Sequence, residues 1–115
     1  MEYSVPAERP PTNGERIQPT SGVHPVIAIY IVTKNMTREQ HTKGRARLRE
    51  VGADESAMKL HSCFGEDGQL QVFDVWESQE AFDEFLTYLG PIMEELGIEL
   101  AQPPAIMQLV DLVQQ

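Results

Sequence analysis

Three residues in this 115-residue chain, His61, Asp74 and Trp76, are spaced so that they could move a proton and press on an aromatic ring at one place. His61 lies in residues 56–64, SAMKLHSCF, and Asp74 and Trp76 lie in VFDVW, with Gly65-Glu66-Asp67-Gly68 between the two stretches. Asp-Gly is a strong signal for a two-residue hairpin turn, because glycine adopts the left-handed backbone of such turns without steric cost. A turn at Asp67-Gly68 pairs Glu66 with Gln69. Five residues further out on each side, His61 then falls opposite Asp74. Side chains alternate across a strand, so Leu70, Val72, Asp74 and Trp76 share one face and His61 joins it. A carboxylate among apolar strand neighbours must be paired. A histidine titrates near neutrality, where it can take up and return a proton. The cluster reads either as an acid–base pair beside an aromatic wall or as a polar pair that fixes strand register. A bulge between the turn and His61 would separate the two.

Around this cluster stand further candidates. Trp76 either forms a pocket wall or packs as core beneath a helix. Tyr30 could present its phenol to the same pocket or simply pack, and Phe85 is assigned to the pocket lining. His61 and Cys63 share a strand face but have no third or fourth ligand nearby, so no metal is expected. There is no glycine-rich phosphate loop and no Ser–His–Asp pattern.

The elements that must position these residues follow from periodicity. Residues 70–76 alternate as a strand, and then the period changes. Phe82, Phe85, Leu86, Leu89, Ile92, Met93 and Leu96 recur at steps of three and four, a helical stripe. Ser78 stands as its N-cap and Gly97 as its left-handed end, with a kink or break expected at Gly90–Pro91. Residues 26–33, VIAIYIVT, form a first strand that is apolar on both faces. Thr37 and Gln40 make a capping box for a helix that runs to about Val51, closed by Gly52, and Gly44 marks a close approach to a neighbour. Residues 105–113, AIMQLVDLV, read as a fourth strand, again apolar on both faces. The order β-α-β-β-α-β predicts an α+β, ferredoxin-like sandwich: a four-stranded antiparallel sheet with two helices on one face. Two helices cover only one face, so a second copy of the sheet is expected to cover the other, giving a homodimer through the sheet face.

Composition narrows the function classes. The net charge of −9 argues against nucleic acid. Six of the nine basic residues, Lys34, Arg38, Lys43, Arg45, Arg47 and Arg49, lie in one region. They read as a solvated helix face beside the acidic second helix more readily than as a phosphate site. A single cysteine and the lack of a long apolar run predict a cytoplasmic protein with no membrane contact. Residues 1–24, rich in proline and polar residues, read as a flexible arm, and residues 25–115 as the one folded domain.

The junction Val75-Trp76-Glu77-Ser78, followed by Glu80-Ala81-Phe82 and Phe85, with Leu89-Gly90-Pro91 and Glu95-Leu96-Gly97-Ile98, resembles the dimeric α/β-barrel superfamily and, within it, the antibiotic biosynthesis monooxygenase-like proteins. The resemblance implies a pocket between sheet and helices for a small aromatic or apolar molecule. It also implies monooxygenase chemistry without a cofactor, for which His61 with Asp74 would supply the base. The rival is a non-catalytic ligand-binding or interaction dimer. A third reading, a heme-degrading protein, leans on Trp76 in a W-x-S-x-x-x-F motif. That branch also uses an asparagine on the first strand and a histidine on the second helix, and this chain has neither.

Overall fold

The computed structural model describes residues 25–114, so the expected arm at 1–24 lies outside the described residues. The chain runs β1 (Ile27–Val32), α1 (Arg38–Glu50), β2 (Met58–Glu66), β3 (Gln69–Trp76), α2 (Gln79–Glu95) and β4 (Ala105–Gln108). The strands form one antiparallel sheet in the order β2-β3-β1-β4, the ferredoxin-like arrangement. Ile27, Ile29 and Ile31 of β1 and Val72 and Trp76 of β3 pack with Phe82, Phe85 and Ile92 of α2 to form the core.

The helix ends follow local chemistry. Thr37 Oγ1 accepts from the Gln40 N–H (3.0 Å), and Gln40 Oε1 accepts from the Thr37 N–H (2.8 Å), completing the capping box. Both helices stop at a glycine of positive φ, Gly52 at 73° and Gly97 at 75°. The next residue folds back in each case: the Ala53 N–H donates to Leu48 O (3.0 Å) and the Ile98 N–H to Met93 O (2.9 Å). Helix α2 passes through Pro91 unbroken, so no break occurs there. Gly90 and Pro91 are exposed, and water can serve the carbonyl that proline leaves unbonded while the buried stripe holds its register. At Gly44 an added methyl would meet Leu96 Cδ1 at 3.7 Å, an ordinary contact and not a forced one.

The fourth strand is shorter than the pattern predicts. Its pairing with β1 ends at Gln108, and the Leu109 N–H still donates to Val26 O (2.8 Å). β1 itself begins at Ile27, so the residues after Leu109 face no strand and the ladder stops. Val110, beyond that point, is 97% exposed. The basic region is occupied by acids: Arg47 bonds Glu95 and Glu50, and Arg45 grips Glu55 with two N–H groups at 3.1 and 3.0 Å. Among the described residues no helix is long and apolar enough to cross a membrane.

Candidate functional site

The hairpin delivers the expected register. Gly68, at φ 101°, closes a two-residue turn, Glu66 pairs with Gln69, and His61 pairs with Asp74. The one irregularity in the pairing falls between Met58 and Leu60, beyond His61, and leaves this pair in place. His61 Nδ1 lies 2.7 Å from Asp74 Oδ1. The carboxylate is buried, and the Trp76 Nε1–H donates to its other oxygen across a long 3.4 Å. A carboxylate in its ionised form only accepts, which suits the Trp76 donor and a His61 that carries its proton on Nδ1.

His41, on α1, joins this row. Its Nε2 lies 3.1 Å from His61 Nε2, and the two rings are parallel with centroids 5.3 Å apart. The centroid separation exceeds the nitrogen separation by about two ring radii. That holds only when both nitrogens lie on the line joining the rings, so this is an in-line N–H···N contact and not a face-to-face stack. Burial lowers the His41 pKa, the neighbouring His61 and Arg45 lower it further, and Asp74 pulls the other way. Burial, helped by the Asp74 charge, pushes the Cys63 thiol up, so it remains a neutral thiol and a poor metal ligand. Among the described residues no group of three or more histidine, cysteine or acidic side chains could hold a metal ion.

His41, His61 and Asp74 line a cavity of about 70 Å³, open to the centres of water molecules, between the sheet and the two helices. About 10–15 Å³ by that measure holds one water, so the space suits a small ring and not a polycycle. Phe85 is in its wall, with Arg45 and otherwise mainly apolar side chains. Trp76 does not line it. Its ring is fully buried against Phe82 and Phe85, with centroids 5.8 and 4.8 Å away. It therefore acts as core and as a donor to Asp74, with no ring face left for a porphyrin. Tyr30 is also outside the cavity. It pairs with Phe73, on the row adjacent to Ile29 and Asp74, and so lies on the opposite sheet face, where its hydroxyl donates to Gln71 Oε1.

Several solved structures share this architecture. SnoaB, a cofactor-independent oxygenase from Streptomyces nogalater, superposes with a TM-score of 0.55 over 80% of this chain and 99% of its own, at 15% identity. A protein from Caulobacter crescentus CB15, named as a candidate antibiotic biosynthesis monooxygenase, gives 0.54 over 80% and 93%, at 17% identity. A dimeric ferredoxin-like protein from an uncultured marine organism gives 0.50 over 80% and 94%, at 9% identity. The likeness is one of fold. It is the fold that the strand-to-helix junction around Trp76 predicts, that of the antibiotic biosynthesis monooxygenase-like proteins. No protein-family model and no curated protein sequence matches the chain.

Proposed function

We propose that this chain forms a cytoplasmic homodimer whose cavity binds a small aromatic or apolar molecule bearing a weakly acidic hydroxyl, and that it oxidises this molecule with dioxygen without metal or flavin. The observation that carries the reading is the 2.7 Å His61–Asp74 bond in the wall of a mainly apolar cavity. Asp74 holds the imidazole and stabilises its protonated form. The ligand loses its hydroxyl proton to the histidine. The resulting anion is electron-rich enough to react with dioxygen: one oxygen atom forms a ring carbonyl, the other leaves as water with two hydrogens taken from the ligand, and the ligand, oxidised to a quinone, supplies all the electrons. The cofactor-independent activity named for SnoaB, a fold neighbour, favours this class of chemistry.

A screen of monocyclic phenols and hydroquinones for oxygen uptake tests it, with His61→Ala as the control. The expected outcome is turnover that falls by about a hundredfold or more in the variant. Undiminished turnover in His61→Ala removes the base from this account. A non-catalytic binding dimer is the second reading, and one observation favours it: the outer nitrogen of His61 is already taken by His41. For that reading the same screen yields binding without oxygen uptake.

A further inference from the structure

The contact that occupies the outer nitrogen of His61 also gives a direction to proton flow. An ionised carboxylate only accepts, so the proton between Asp74 and His61 sits on His61 Nδ1. A neutral His61 then carries its lone pair on Nε2. His41 Nε2, 3.1 Å away in line, must be the donor of that contact, and the lone pair of the whole row ends on His41 Nδ1. We propose that His41 and His61 form a two-histidine proton relay, in which a cavity ligand gives its proton to His41 Nδ1 and the positive charge comes to rest on His61 beside Asp74. The relay rests on the reading of the cavity as a site for a weak acid and names the group that meets that acid.

The step balances. The ligand O–H bond breaks and an N–H bond forms at His41 Nδ1. The His41 Nε2–H bond breaks and an N–H bond forms at His61 Nε2. Two protons have moved, leaving a ligand anion, a neutral His41 in its other tautomer and an imidazolium at His61. The surroundings favour that final placement. On α1, Arg45 opposes charge at His41, though Glu55 holds its guanidinium. On β3, Asp74 bonds His61 directly, and on β2, Cys63 stays uncharged. From α2 the cavity receives Phe85, Leu89, Ile92 and Met93, which carry no charge. The relay thus carries charge away from the place where it is opposed and sets it beside a carboxylate.

Histidine side-chain nitrogen NMR on the full chain tests this without a ligand. In the neutral protein, His61 is expected as the Nδ1–H tautomer and His41 as the Nε2–H tautomer. On acidification His41 is expected to take its proton only below the ordinary histidine range. In His61→Gln, His41 is expected to take its proton at higher pH than in the wild type. A proton on His41 Nδ1 in the neutral protein, or two rings that titrate independently, overturns the relay. The functional arm uses His41→Gln, whose amide can still donate to His61 Nε2 but cannot pass a proton on. Oxygen uptake is expected to fall at least about tenfold in this variant and its pH profile to shift, with the His61 tautomer unchanged. Full uptake in His41→Gln overturns the relay and leaves the oxygenase reading standing. If the wild type consumes no oxygen while the tautomers and the His41 titration are as expected, the oxygenase reading fails and the relay stands as a device that ionises a bound acid.

Discussion

Asp74 organises the site at the scale of single residues, because its two oxygens receive His61 and Trp76 and so fix both. His41 carries a pH consequence. Its pKa is lowered in the fold, first by burial and then by the charges of His61 and Arg45. The unfolded chain therefore binds this proton more readily than the native one, and protonation favours unfolding. The contribution of His41 is complete above the ordinary histidine range. It is lost as pH falls from there through the lowered native value. Urea midpoints measured from pH 7.5 down to pH 5 are expected to fall for the wild type and to fall less for His41→Gln, with equal slopes as the contrary result. The His61–Asp74 pair was readable from sequence because a two-residue turn counts out the register on both strands. His41 was not. Its meeting with His61 depends on how α1 lies over β2, which no local pattern encodes.

At the scale of elements, the ends of the helices were the most readable features and the ends of the strands the least. A cap is local chemistry: Thr37 with Gln40, or a glycine followed by a residue that folds back. A strand end depends on a distant partner, so the apolar run at 105–113 looked like a full strand, whereas β1 starts at Ile27 and leaves the end of that run with nothing to pair. Pro91 misled in the other direction, since an exposed proline can sit in a helix whose opposite side is firmly packed. The Gly97 turn sends the chain back so that Ile98 is buried at the cavity wall. Gly97→Ala forces a side chain into the left-handed region at a cost of about 1–2 kcal/mol. Urea denaturation is expected to show that loss, and an unchanged midpoint would contradict this account of the helix end.

For the whole molecule, the question is the sheet face away from the helices. At its centre Ala28 and Val75 are buried, whereas Phe64 and Met107 nearer its margins are 43% and 47% exposed. Phe73 and Tyr30 lie half-buried between them. With its centre buried, this face is less bare than the sequence pattern implied. The remaining apolar margin still favours a second copy of the sheet. Sedimentation equilibrium is expected to give twice the 13.0 kDa chain mass, falling toward the single chain in Phe64→Glu. A wild-type monomer at all concentrations would contradict the dimer. The helix-covered face carries the central claim, that the cavity bounded by His41, His61 and Asp74 is where this protein meets its ligand, whether or not it then oxidises it. The most direct measurement is an NMR titration of the wild type with 4-nitrophenol, following the ring signals of His41 and His61. The account predicts saturable shifts at both rings with the bound phenol held as its anion. Shifts confined to the open sheet face around Phe64 and Phe73, or no saturable shift at either histidine, would contradict it.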